Sequence, residues 1–282
     1  MAFLLLAVAS SAAMTLVMKL LSAQRGNRFA LILGNYLTCI ALSFAFLPDK
    51  RLVVSGSPLT LRLGMVGGAV FVAGLVSMQS SIRVNGATLS AAFAKLGLIV
   101  SLAVGILCFG ERPLALQLTG IALVLPALVL INAGDGAEGR AEKPALLILT
   151  LLCCGGGDAM AKVFQQLGAR REDALYFFWL FTTAALLSCV LAALEHKRTG
   201  QRMLPGEFAA GLLAGVPNYF SSYLLLLALE RVPSFVAYPL YSTGTIVLVT
   251  AVSAACFGEK PGRRQAAGLV LILAALALLS LG

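Results

Sequence analysis

The sequence predicts an all-α integral membrane protein with ten transmembrane helices, arranged as two inverted five-helix halves. Three observations lead to this prediction. The chain is 60% hydrophobic and only 12% charged, whereas soluble domains carry about 25% charged residues. The apolar residues fall into ten runs, each close to the roughly 20 residues that an α-helix needs to cross a bilayer. A short stretch at the end of the fourth run recurs at the end of the ninth.

The predicted helices follow these apolar runs, and short polar turns separate them. In chain order they cover about 2–21, 29–47, 62–82, 87–109, 113–132, 144–166, 174–194, 207–229, 234–257 and 262–281. A cleaved signal peptide is the alternative for the first run, but the run is long and no basic region precedes it, so we predict a helix. Residues 134–143 are small or charged, which predicts a linker between one half at 1–133 and the other at 144–282.

The recurring stretch reads as a tight corner between two helices. Its two copies lie 148 residues apart, and nine of nineteen positions are identical between 108–126 and 256–274. In each copy a glycine, Gly110 or Gly258, can end a helix in the left-handed conformation. The glutamate that follows, Glu111 or Glu259, then lies near a helix N-terminus, where the helix dipole favours a negative charge. We interpret these four residues as structural and not as direct substrate contacts.

The two halves correspond beyond the corners. A Gly-xxx-Gly pair at Gly64 and Gly68 has a counterpart at Gly211 and Gly215, and such pairs let helices approach closely in lipid. Because five is an odd number, the two five-helix halves must cross the membrane in opposite senses. An inverted repeat around a site at the midplane is the architecture of many secondary transporters.

The corner itself is the most specific feature. The sequence Phe-Gly-Glu-Arg/Lys-Pro, followed by Gln and Gly and present twice, resembles the EamA-type branch of the drug/metabolite transporter (DMT) superfamily. The resemblance implies two EamA-like repeats, a central cavity, alternating access and a place in the bacterial cytoplasmic (inner) membrane. It also implies that both termini face inside, whereas the distribution of Lys and Arg mildly favours both outside. Members carry amino acids, nucleotide sugars, organic phosphates, quaternary amines or drugs, so the resemblance selects no substrate.

Charged residues at membrane depth are rare and usually mark a functional site. Four are predicted here: Lys19, Lys95, Asp158 and Lys162. Asp158 and Lys162 lie four residues apart on one helix face and can pair, either as a structural ion pair or as a coupling or gating site. Lys95 either contacts an anionic group of the substrate or pairs with Asp158. Lys19 either reaches the lipid headgroups or shares the coupling role of Lys162.

Aromatic and amide side chains complete the predicted binding wall. They lie on predicted helices 3, 7, 8 and 9: Gln79, Trp179, Asn218, Tyr219, Tyr223, Tyr238 and Tyr241. Pro217 and Pro239 lie inside helices 8 and 9, where a proline frees a backbone carbonyl and allows a bend. Three lysines against one aspartate at membrane depth favour an anionic or zwitterionic substrate over an organic cation.

These features predict a secondary transporter that exports or exchanges a small polar metabolite, amino-acid-like or otherwise anionic. The alternatives are an organic-cation or drug exporter that uses Asp158, and a flippase for a lipid-linked carrier. The single histidine, His196, lies in a charged loop and no catalytic or metal-binding motif occurs, so we expect no enzyme, no metal and no cofactor. Expected partners are the substrate, the lipid bilayer and protons as coupling ion, with no nucleic acid, in a monomer or homodimer.

Overall fold

The chain is an all-helical integral membrane protein, as predicted. The computed structural model describes residues 1–20, 29–132, 142–169, 171–201, 203–257 and 262–280. The helices are α1 (Ala2–Leu20), α2 (Phe29–Ala45), α3 (Leu52–Ser55), α4 (Pro58–Asn85), α5 (Ala87–Leu96), α6 (Leu98–Ala103), α7 (Ala115–Asn132), α8 (Pro144–Leu167), α9 (Asp173–Thr199), α10 (Pro205–Leu229), α11 (Ser234–Phe257) and α12 (Arg263–Ser280). A π-helix, Val104–Cys108, continues α6.

Several of these helices are long and apolar enough to span a membrane. Within the described ranges there are six such spans: Pro58–Asn85, Leu89–Cys108, Pro144–Leu167, Asp173–Thr199, Pro205–Leu229 and Ser234–Cys256. Shorter apolar helices cover Ala2–Met18, Phe29–Ala45 and Ala115–Ile131. Large apolar side chains such as Leu107, Leu186 and Val270 are exposed. Lipid, and not water, is the environment that accommodates such a surface.

The observed helices follow the predicted ones, with four informative differences. The short helix α3 was not predicted, and α9 continues to Thr199, so His196 lies in its last turn and not in the expected loop. The third predicted helix begins earlier, at Pro58, because the Ser57 hydroxyl accepts a hydrogen bond from the Leu59 backbone and caps the first turn. The fourth predicted helix is divided at Gly97 into α5 and α6, and the Gly97 amide bonds back to the Ala94 carbonyl. A glycine inside an apolar run was the available signal for this break.

The Gly-xxx-Gly pairs form close helix contacts, as expected. A Cβ added at Gly64 would lie 2.9 Å from the Tyr176 carbonyl oxygen, so α4 and α9 touch backbone to backbone there. Gly211 and Gly215 of α10 lie even closer to the backbone of α2, because an added Cβ would overlap the carbonyl oxygens of Leu31 and Asn35. Small residues at these positions allow van der Waals packing between backbones, which drives helix association in lipid.

The most consequential crossing brings α8 between α4 and the α5–α6 break. A Cβ on Gly155 would overlap the carbonyl oxygen of Gly97, and a Cβ on Gly74 would lie 3.3 Å from the backbone of Cys154. The Ser101 hydroxyl also donates to the Gly155 carbonyl at 3.2 Å. Glycine is required here because any side chain would push these backbones apart.

Two apolar cores flank this crossing. One joins α1, α7, α10, α11 and α12 through side chains such as Leu4, Leu128 and Leu279. The other is largely aromatic and joins α2, α9 and α10, with Tyr36 and Phe181 at its centre. At the helix crossing a cavity remains, whose largely apolar lining includes a few charged and polar side chains.

Candidate functional site

A cavity of about 380 Å³ lies where α1, α4, α5, α8 and α11 meet. Small-molecule sites generally begin at about this size. Its polar lining comes from Ser11, Lys95, Asp158, Tyr241 and Ser242, and the apolar part includes Phe71 and Met78. We call it the central cavity.

The glycine crossing places both charges in the central cavity. Lys95 lies two residues before Gly97 on α5, and Asp158 lies three residues after Gly155 on α8, so the contact of the two glycines brings their helices together next to both side chains. Both side chains are exposed, and both line the cavity. They do not form an ion pair with each other; among the described residues the ion pairs join other side chains.

Two tyrosines of α11 lie at or near the cavity, one helical turn apart. Tyr241 lines it, and its hydroxyl lies 2.5 Å from the Ser221 hydroxyl of α10. One turn earlier, the buried Tyr238 donates a hydrogen bond to the backbone carbonyl of Asp158 at 2.9 Å. Tyr238 therefore holds α11 against α8 at one end of the cavity.

Lys162 does not pair with Asp158, which corrects the expectation from their spacing. Its ammonium nitrogen lies 2.9 Å from Oε1 of Glu111 in the first corner, and it also donates to Gln165 at 3.1 Å. Lys162 is only 3% exposed. Sequence spacing could not reveal this partner, because Glu111 and Lys162 lie 51 positions apart in the chain (162 − 111 = 51).

Glu111 stabilises a helix N-terminus, but not that of the helix that follows it in the chain. Its carboxylate accepts hydrogen bonds from the Ser234 amide at 2.9 and 3.0 Å, from the Ser234 hydroxyl at 2.5 Å and from the Phe235 amide at 3.4 Å. These groups begin α11. Burial raises the pKa of Glu111, but the hydrogen bonds from Ser234 and the contact with Lys162 outweigh it, so the pKa lies below its ordinary value.

The helix after the corner is capped by a different residue. The Leu114 amide donates to Oε1 of Gln117 at 2.9 Å, and in the second copy the Gly262 amide donates to Oε1 of Gln265 at 3.3 Å. The recurring glutamine thus has the same reach-back role at both helix starts, a role that was not predicted from the sequence. Gly110 is left-handed, with φ of +67°, as expected. Gly258, Glu259 and the Lys19 side chain lie outside the described part of the chain.

The comparisons with known proteins fit this geometry. The family model described as EamA-like transporter family matches residues 145–281, the second half of the chain. The second half of the chain therefore matches an EamA-like transporter, which confirms the predicted resemblance to EamA-type members of the DMT superfamily. This is a family of membrane transporters and not of enzymes. No curated protein matches the sequence.

The fold of the whole chain is also that of a solved structure. A chain titled "Crystal structure of protein" is 18% identical in sequence and superposes with a TM-score of 0.78, over 99% of this chain and 95% of that one. At this identity the likeness concerns the fold. It extends over both halves, including the half that the family model does not match.

Several predicted binding residues pack into the apolar cores of the protein. Tyr219 is fully buried and stacks on Tyr223 with ring centroids 5.6 Å apart. Asn218 donates to the Asn35 side chain at 2.7 Å, and Trp179 packs beside Leu175. Lys95 and Tyr241 line the central cavity. The other predicted binding residues are not among its lining residues: Gln79, Trp179, Asn218, Tyr219, Tyr223 and Tyr238. For the residues that do not line the cavity, contact with the substrate stays a prediction.

A polar vestibule lies beyond the Glu111 end of the central cavity. It consists of two adjoining cavities of about 380 and 700 Å³, which share Gln165, Gln166 and Glu230. Glu111 and Lys162 line the smaller one. The protein thus has two spaces on either side of this part of α8: Asp158 lines the central cavity, and Lys162, a single helical turn further along α8, lines the vestibule.

Proposed function

We propose that this EamA-type transporter exports or exchanges a small zwitterionic, amino-acid-like metabolite by alternating access. The observation that carries the proposal is the pair of opposite charges, Lys95 and Asp158, which line one cavity without an ion pair between them. The proposed architecture is that of ten helices in two inverted EamA-like repeats, 1–133 and 144–282, in the bacterial cytoplasmic membrane.

The pattern of helix contacts supports the inverted repeat. An exchange of the halves would map α1 on α8, α2 on α9, α4 on α10 and α7 on α12. Under this mapping the packing of α2 against α10 corresponds to that of α9 against α4, and the packing of α1 against α10 corresponds to that of α8 against α4. The pair of α7 and α12 maps on itself. A pseudo-two-fold axis of this kind passes through the substrate site in many secondary transporters.

The charges of the cavity favour a zwitterion. An ammonium or carboxylate in a partly desolvated site is stable only with a partner. A substrate carboxylate would neutralise Lys95, and a substrate ammonium would neutralise Asp158. The hydroxyls of Ser11, Tyr241 and Ser242 line the same space and supply neutral hydrogen-bonding groups. An organic cation would neutralise Asp158, but its positive charge would repel the Lys95 ammonium in the same cavity.

The experiment compares three forms of the same amino acids: the free zwitterion, the carboxamide, which is a cation, and the N-acetyl derivative, which is an anion. Binding is measured by thermal shift of the purified protein, since a ligand of the native state raises its stability with affinity, and transport is measured in proteoliposomes. We expect the free amino acid to bind most tightly for at least one side chain.

The variant Lys95→Ala should weaken zwitterion binding about tenfold to a hundredfold, as expected for a lost charged hydrogen bond, and leave the carboxamide unaffected. Lys197→Ala is the matched control, because Lys197 is an exposed lysine at the end of α9. Equal binding of the carboxamide and the zwitterion, with no effect of Lys95→Ala, would favour the organic-cation exporter. Saturable translocation of a lipid-linked group, with no amino-acid flux, would favour the flippase.

A further inference from the structure

The wall between the central cavity and the vestibule is thin. Asp158 lines the central cavity, and Lys162, four residues further along α8, lines the vestibule. An α-helix rises about 1.5 Å per residue, so roughly 6 Å of helix axis separates the two positions. A small solute could pass from one space to the other if this single layer opened.

A hydrogen bond and an ion pair hold this layer closed. The Tyr238 hydroxyl bonds to the Asp158 carbonyl, and Tyr238 is only 2% exposed. Lys162 bonds to Glu111, whose carboxylate in turn holds the start of α11 through Ser234. Three separate chain segments therefore meet: the corner after the π-helix, the end of α8 and the start of α11.

Glu111 and Lys162 can also separate while each side chain keeps a hydrogen bond. If the Glu111–Lys162 contact breaks, Glu111 keeps its hydrogen bonds from Ser234 and Lys162 keeps its bond to Gln165. Each charged group then keeps a hydrogen-bond partner, and both already line the vestibule. A static buried ion pair lacks this property, because removal of one partner strands the other charge.

Two irregular helix segments flank the layer. Pro239 lies inside α11 directly after Tyr238, and a proline inside a helix is a common bend point. The π-helix Val104–Cys108 precedes the Glu111 corner, and Gly105 within it leaves room for the Ser234 hydroxyl. The segment 234–238 therefore joins the rest of α11 where Pro239 already lacks one helical hydrogen bond, and a bend there costs less than elsewhere in the helix.

We propose that Glu111, Lys162 and Ser234 form a gate that closes the central cavity on the Glu111 face of the membrane and opens in the transport cycle. They act as positioning residues for transport and need no contact with the substrate. The inference rests on the alternating-access mechanism proposed above. Its test uses a labelling rate that requires no substrate, so failure of the gate and failure of the substrate assignment are distinguishable.

The test uses Cys154, which lines the central cavity. The other five cysteines are replaced by alanine or serine, and a membrane-impermeant maleimide is applied to each face in turn, in right-side-out and inverted vesicles. In Glu111→Gln the closed state loses a charged hydrogen bond, so we expect Cys154 to react about tenfold faster from the Glu111 face. The rate of Cys154 labelling from the opposite face should fall, because more molecules are then open to the Glu111 face and fewer are open to the opposite face.

The matched control is Glu172→Gln. Glu172 also accepts hydrogen bonds from a helix-start amide, that of Ser57 before α4, at 3.1 and 3.3 Å, but it belongs to no ion pair among the described residues. Its removal should cost similar stability without a change in the ratio of labelling rates between the faces. A merely structural role of Glu111 would give the same result for both variants.

Two further variants keep the test decisive. Lys162→Gln leaves the cap of α11 intact and should raise labelling from the Glu111 face as Glu111→Gln does; it serves alone if the latter does not fold. The conservative variant Lys162→Arg keeps a cation that can pair with Glu111 and should keep labelling slow. Unchanged rates in Lys162→Gln, or faster labelling equally from both faces, would overturn the gate.

Discussion

Gly155 on α8 touches the carbonyl oxygen of Gly97 at the break between α5 and α6, and this contact sets the separation of the two cavity charges. The helices cross where neither has a side chain, so Lys95 and Asp158 face one cavity. The position of the binding site thus depends on residues that do not themselves bind.

Gly155→Ala should destabilise the protein by about 1–3 kcal/mol, because an added methyl group would overlap the Gly97 backbone and overpack the crossing. Thermal unfolding in detergent measures this effect. Gly157→Ala is the control: a Cβ there would lie 3.7 Å from Phe71, an ordinary contact, and should change stability little. Equal melting temperatures for the two variants would contradict the close crossing.

Asp158→Asn should remove the dependence of transport on a proton gradient. The side chain faces the central cavity, where a carboxylate can hold a proton in the absence of substrate and release it when a substrate ammonium binds. The asparagine variant has the same shape but no titration. Counterflow of labelled amino acid with and without a pH gradient measures the coupling. Gradient-driven accumulation that persists in Asp158→Asn would show that the coupling proton binds elsewhere.

Glu111 should make stability depend on pH in the acidic range. Its pKa lies below the ordinary value of 4.5, so the folded state favours the carboxylate. The stabilisation is therefore fully present above pH 4.5 and is lost as the pH falls through the lower folded value. Glu111→Gln should be less stable at neutral pH and should show a flatter decline on acidification. Parallel melting curves for both proteins across this range would contradict the cap.

Asn35 and Asn218 should be energetically coupled, because the Asn218 amide donates to the Asn35 carbonyl at 2.7 Å between α2 and α10. A double-mutant cycle with alanine at each position should give a coupling of about 0.5–2 kcal/mol, the range for such bonds in membranes. Steric effects of each truncation cancel in the cycle. A coupling of zero would indicate that this bond is absent from the native state.

Gln117 and Gln265 should contribute similar, small amounts to stability, since each accepts a hydrogen bond from the start of its helix. Alanine at either position should cost about 0.5–1.5 kcal/mol. Glutamate retains the acceptor oxygen, so Gln117→Glu should keep the stability that Gln117→Ala loses. Thermal unfolding of the four single variants, with Gln265→Glu as the fourth, measures this. A loss at only one of the two corners would contradict the shared role of the repeat.

Local features allowed the helices and the family to be predicted from sequence. Apolar run length is read along the chain, and for this reason the bounds of α8, α10 and α11 differ from prediction by no more than two residues. The Gly-Glu corner likewise needs only neighbouring residues, and Gly110 has the expected left-handed backbone. The rarity of charges in apolar segments also selected Lys95 and Asp158, which line the central cavity.

Partners across helices followed only from the tertiary structure. The sequence placed Lys162 one turn from Asp158, but the fold brings it to Glu111, because α8 ends beside the first corner. Glu111 was expected at the start of the next helix, and the fold sets it at the start of α11. The sequence by itself determined which residues are helical and which charges are unusual. The packing of helices through glycine contacts decided which charges meet, since that choice depends on distances between segments far apart in the chain.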